Sequence, residues 1–136
     1  MNKELTKKLY YDFPKIFIQH SKPLTETAMC WGFQCGDGWF QLIYELCCRL
    51  QWDIDNNGYP QLQATTVKEK FGELRFYCSG SNDKQEAMIE FASHMSNYIC
   101  EECGSNHDVQ QTKGYIQNLC KWCRVERVLK AFFRIR

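Results

Sequence analysis

The chain has 136 residues, 44% of them hydrophobic and 15% aromatic, which excludes a disordered tail and leaves room for one compact domain or a small core with an appendage. Seventeen basic residues against sixteen acidic ones give a net charge of +1, so no global imbalance points to nucleic acid or to a membrane surface. No run approaches the ~18 apolar residues of a membrane span, and the polar stretch from Met1 to Tyr11 lacks the apolar core of a signal peptide. With nine cysteines, an odd number, and no export signal, a reducing cytosol is the expected compartment.

Taken in order, Met1 to Tyr11 predicts a short helix with Leu5 and Leu9 on one side, ended by Phe13-Pro14. Ile16 to Ile18 is a short apolar stretch and Ser21-Lys22-Pro23 a loop. Met29 to Trp39 packs three glycines between two tryptophans. Gly36-Asp37-Gly38 reads as a tight turn, with Asp37 capping the helix that follows. Gly32, Gly36 and Gly38 do not form a phosphate loop, because Trp39 stands where Lys-Ser/Thr is needed.

From Trp39 to about Asp53, residues Trp39, Leu42, Ile43, Leu46, Cys47, Leu50 and Ile54 fall on one helical face, and Asn56-Asn57-Gly58 supplies the stop. This predicts the central core helix. Leu62 to Lys70 and Glu73 to Ser79 read as a hairpin turning at Phe71-Gly72, with Leu74, Phe76 and Cys78 alternating against Arg75 and Tyr77. A helix capped by Asn82 or Asp83 should then place Met88, Phe91, Ala92, Met95 and Ile99 inward before running into Cys100.

Cys100-x2-Cys103-Gly104 and Cys120-x2-Cys123, sixteen residues apart, have the form of a tetrahedral zinc site with four thiolate ligands. The first pair reads as a knuckle. A hairpin follows, over Val109–Thr112 and Tyr115–Leu119 with Lys113-Gly114 as its turn, and then a helix opening at the second pair and continuing to Phe133. Knuckle, hairpin and helix in this order resemble a treble clef. A helix start suits thiolates because its free amides stabilise anionic sulfur. One structural Zn2+ is expected, since four protein ligands leave no open position for water. His107 is a rival fourth ligand. No second cluster of His or Asn follows Cys120, which argues against a metal-dependent nuclease. The fold class is therefore α+β: core residues 1–99, and a zinc module over 100–136 packed on it as one unit.

Charge along the chain is uneven. Six acids and one lysine lie from Asp83 to Asp108, and six bases and one acid from Cys120 to Arg136. The opposed fields steer a partner or attract each other. In the last helix Val125, Val128, Leu129 and Phe132 share one side, while Lys121, Arg124, Arg127, Lys130 and Arg134 occupy much of the rest. That pattern fits a docking helix, contact with a nucleic-acid backbone, or an acidic protein partner. Phe133 and Ile135 widen its apolar surface toward a partner or homodimer interface.

Two further readings involve side chains in the first half. Cys30 and Cys35, with Cys47, Cys48 or His20, could form a second metal site or a thiol centre, though their spacing is loose and buried cysteine is common as a small hydrophobe. Trp31, Asp37, Trp39, Lys68, Lys70, Arg75 and Tyr77 concentrate the Trp, Tyr and Arg typical of binding hot spots, and they define the expected partner-binding surface.

Met29-Cys30-Trp31-Gly32, Cys35-Gly36-Asp37-Gly38-Trp39, Val67-Lys68-Glu69-Lys70-Phe71-Gly72, Leu74-Arg75-Phe76-Tyr77 and the two C-x2-C pairs together resemble small uncharacterised zinc-ribbon or treble-clef-like proteins of bacteriophages, prophages and bacteria. The resemblance covers about residues 13 to 123, and the basic tail after Cys123 is longer than in that group. It implies a cytosolic phage or bacterial setting and supplies no catalytic residues. In that setting a small protein with dense binding surfaces is expected to bind and inhibit a host or defence-system protein. A nucleic-acid-binding regulator and a thiol- or metal-dependent enzyme are the alternatives.

Overall fold

A computed structural model describes residues 1–134. Helix α1 (Lys3–Asp12) starts at Asn2, whose side chain accepts from the Leu5 amide, and ends at Phe13 as the Phe13-Pro14 step requires. Residues 13 to 39 carry no long element. Short 3-10 turns at Ile18–Ser21, Met29–Trp31 and Asp37–Trp39 flank a two-residue strand β1 (Phe33–Gln34). Helix α2 (Phe40–Asn57) follows, closed by Gly58 in the left-handed conformation. Its buried face holds Ile43, Leu46, Cys47, Leu50 and Ile54, as the period predicts, together with one residue the period does not announce, Asp53.

Strands β2 (Gln63–Lys70) and β3 (Glu73–Ser79) form the expected antiparallel hairpin, with β1 added in parallel on the β2 side. Phe71 and Gly72 both take positive φ, 53° and 83°, giving the paired left-handed geometry that suits a two-residue hairpin turn. The register slips between Ala64 and Thr66. That bulge is why Ala64 and Val67, three positions apart, both face the core. Beyond it, Val67, Leu74 and Phe76 point inward, so Thr66, Lys68, Lys70, Glu73, Arg75 and Tyr77 share the outer face.

Helix α3 (Asp83–Ser96) opens with a capping box of Asn82 and Gln85. Its inward stripe is Gln85, Ile89, Ala92 and Ser96; Met88, Met95 and Ile99 are half-buried, and Phe91 points outward. The expected stripe was displaced because α3 lies along the β3 edge, where Ser96 Oγ accepts from the Leu74 amide at 2.9 Å. A serine on that face satisfies an edge-strand donor that an apolar residue would leave unpaired. Gln85 and Lys84 reach Asp53 on α2 at 3.3 and 2.7 Å, and Asn57 adds a third hydrogen bond at 2.7 Å.

Strands β4 (Gln110–Gln111) and β5 (Asn118–Leu119) make a second, two-stranded sheet, and α4 (Lys121–Arg134) ends the described chain. One large apolar cluster draws on α1, α2, α3 and the first sheet; a small second one holds Cys100, Leu119 and Cys120. Among the described residues no helix is long and apolar enough to cross a membrane.

Candidate metal centre

Three residues separate the end of α3 from Cys100, and they form a turn rather than a continuous helix. The chain then folds back on itself. The Cys100 carbonyl accepts from the Gly104 amide at 2.9 Å, and the Cys100 amide donates to the Ser105 carbonyl at 2.8 Å. This tight loop turns Cys100 and Cys103 toward one point. Cys120 precedes α4, and its carbonyl accepts from the Arg124 amide at 2.9 Å, closing the first helical turn and bringing Cys123 alongside.

The four sulfur atoms lie within 4.8 Å of one another, with Cys103 and Cys120 3.6 Å apart. Four thiolates at ~2.3 Å from one cation form a tetrahedron with edges of ~3.8 Å. The donor set and its spacing therefore fit a four-coordinate thiophilic metal, closed to substrate. The Cys123 amide, free at the start of α4, donates to the Cys120 sulfur and pulls that thiol down to about 7. Burial pushes the Cys103 and Cys123 thiols upward. Four crowded sulfurs cannot all ionise without a cation among them. This is the one such cluster among the described residues, and His107 is exposed and outside it.

The knuckle rests on the glycine-tryptophan loop. The Gly38 amide donates to the Glu101 carbonyl at 2.8 Å, the Gly36 amide to Glu101 Oε2 at 3.0 Å, and the Trp39 indole N–H to the Ile99 carbonyl at 3.0 Å. A β-carbon on Gly38 would lie 2.1 Å from the Cys100 carbonyl oxygen, and one on Gly36 2.3 Å from that of Glu101. Only glycine permits this approach. Glu101 is buried with Oε1 unpartnered, and burial pushes its carboxyl up to about 7 against the opposing pull of the Gly36 amide.

A second contact joins the module to the hairpin turn. Buried Asn118 on β5 donates through Nδ2 to the Gly72 carbonyl at 2.6 Å and to Asn97 Oδ1 at 3.2 Å. Asn97 donates in turn to Glu73 Oε2 at 2.8 Å, and Glu73 pairs with Arg75. The chain of partners runs from the outer hairpin face to the metal module. No periodicity announces it; the signal in the sequence was the density of small and amide residues at turns.

These contacts revise the expected binding surface. Trp39 is fully buried and serves the core, because its ring fills the space between α2 and the knuckle while its N–H is satisfied. Asp37 does not cap α2. Its carboxylate accepts from the Asn2 amide at 2.7 Å and from Asn2 Nδ2 at 3.0 Å, tying α1 to the loop. Trp31 remains 60% exposed on the preceding turn. Lys68, Lys70, Arg75 and Tyr77 do come together on the outer hairpin face. Lys70, Arg75 and Tyr77 line a groove of about 780 Å³ with Phe71 and with Glu90 and His94 of α3.

The basic helix is also revised. Arg124 donates to the Asp108 and Leu119 carbonyls at 2.6 and 2.8 Å and pairs with the Asp108 carboxylate at 2.9 Å. Arg127 donates to Thr112 Oγ1 at 2.7 Å and to the Tyr115 carbonyl at 2.8 Å. Both side chains hold α4 to the loop between β4 and β5. Lys121, Lys130 and Arg134 stay exposed. Arg136 and Ile135 lie outside the described residues.

Among the described residues Cys30, Cys35, Cys47, Cys48 and His20 form no metal-holding cluster; Cys30 and Cys48 are exposed, Cys35 and Cys47 buried. Burial pushes the Cys35 thiol up to about 12, and Cys47 well up as well, so both stay protonated and unreactive at neutral pH. Comparison of the chain with protein-family models, with curated proteins and with solved structures found no match.

Proposed function

We propose that this chain is a non-enzymatic interaction protein of phage or bacterial type. One structural Zn2+, held by Cys100, Cys103, Cys120 and Cys123 in a treble-clef-like module, fixes its surfaces, and it binds and inhibits a host or defence-system protein in the cytosol. The observation that carries this reading is the outer hairpin face. Lys68 and Arg75 stand directly opposite each other across the β2–β3 ladder. Like charges in that position are destabilising; the Glu73 carboxylate beside Arg75 offsets part of the repulsion, and an acidic partner relieves what is left. Tyr77, 49% exposed, and Phe71, 69% exposed, lie beside them as aromatic anchors. The metal supports the reading indirectly, since a closed four-thiolate centre holds structure and leaves no position for substrate.

The test is affinity capture from host lysate with the zinc-loaded chain and with a Lys68→Glu/Arg75→Glu variant of equal metal content. One protein with an acidic surface should be retained by the parent and lost with the variant. Equal capture by both would remove the hairpin face from the proposal.

A further inference from the structure

Helix α4 is amphipathic in the wrong sense for a helix that docks only on its own chain. Its arginine face is the one turned inward: Arg124 and Arg127 grip the β4–β5 loop, and Cys120 and Cys123 sit on the same side. The apolar face is turned out. Trp122 is 74% exposed, Val128 68%, Leu129 48% and Val125 45%, and Phe132 continues the stripe with its ring against Phe133. Ordinary burial of an amphipathic helix would reverse this arrangement.

The spacing is that of a coiled-coil seam. Trp122 and Leu129 are a heptad apart, as are Val125 and Phe132, and together they alternate as positions a and d. Lys121 and Val128 then occupy g, and Glu126 and Phe133 occupy e. In a parallel two-stranded coil each g residue faces the next e residue along the partner helix. That pairs Lys121 with Glu126 of a second copy, and Val128 with Phe133, each twice by symmetry. An antiparallel pair brings g to g and e to e, setting lysine against lysine or valine and glutamate against glutamate or phenylalanine. Lys121 and Glu126 are both exposed, and neither forms an ion pair among the described residues.

We infer that α4 is a homodimerisation helix that pairs in parallel with α4 of a second copy of this chain. A membrane surface fits less well, because exposed Glu126 borders the apolar stripe, where an anionic lipid surface would repel it, although Lys121, Lys130 and Arg134 remain exposed. The zinc module sits on the far side of the helix and holds it so that the seam is presented outward. The inference stands apart from the hairpin face and its partner.

Sedimentation velocity of the full zinc-loaded chain, from micromolar to millimolar concentration in reducing buffer, tests it. The expected result is a concentration-dependent monomer–dimer equilibrium that Leu129→Glu abolishes without loss of bound zinc. Lys121→Glu and Glu126→Lys should each weaken the dimer several-fold, and the double reversal should restore it. A chain monomeric at all concentrations, a dimer indifferent to Leu129→Glu, or a double reversal that fails to restore association would overturn the proposal. So would a monomer that binds vesicles of anionic lipid through the same face.

Discussion

Gly36 and Gly38 carry the junction between core and metal module, and their role separates two reasons for a glycine. At Gly38 a β-carbon would meet backbone atoms of Cys100, Glu101 and Gly104, none of which can rotate away. Gly38→Ala should therefore cost about 3 kcal/mol or more in urea unfolding of the zinc-loaded chain, the range of a displaced core contact. Gly58→Ala is the control: φ is +68° with nothing within 4 Å, so only backbone strain of about 1–2 kcal/mol applies. Equal losses at the two sites would mean that the loop does not carry the knuckle. Asp53 gives a pH test. The Lys84 ammonium, helped by Asn57, holds its carboxyl below the usual 3.8. A depressed folded-state value means that the stabilisation is present above about pH 4 and is lost as pH falls through the folded value. Asp53→Asn should lower stability at neutral pH and flatten that part of the acid limb, read as urea midpoint against pH. An unchanged acid limb would place the dependence elsewhere.

Whole elements were legible where period and turn chemistry agreed. The inward face of α2, the hairpin turn at Phe71-Gly72 and the Asn82 cap all follow from local rules. Elements whose form is set by a neighbour were not. Strand β1 is two residues long and exists because Phe33 and Gln34 pair with Val67 and Lys68. The hairpin of the metal module has strands of two residues where longer ones were expected. There Thr112 Oγ1 accepts from the Gln117 amide at 2.9 Å and donates to the Tyr115 carbonyl at 2.7 Å, replacing ladder bonds with side-chain ones. Arg127 completes this loop and fixes α4 against it. Arg127→Ala should speed zinc transfer to a chelator by about ten-fold, as loss of an outer support to the ligands does. Zinc release at the parent rate would show that the helix is held by its cysteines alone.

Across the whole molecule, the clustering of the four cysteines was readable from spacing, because C-x2-C is a local pattern. What the metal module does to the core was not, because its contacts join residues some sixty positions apart: Gly36 and Gly38 with Glu101, and Trp39 with Ile99. The aromatic and glycine-rich stretch looked like an exposed recognition loop, and Gly36, Gly38 and Trp39 are instead the seat of the knuckle. The four-cysteine module is thus joined to the core as well as to its own hairpin and helix, and a metal bound there would clamp both. Hydrogen exchange of the zinc-loaded and chelated chain, read at the Gly36 and Gly38 amides and the Trp39 indole N–H, tests this most directly. The clamp predicts that chelation strips protection from these three together with residues 100–123, while the amides of Ile43 to Leu50 in α2 stay slow. Protection unchanged at Gly38 and Trp39 while residues 100–123 open would contradict it.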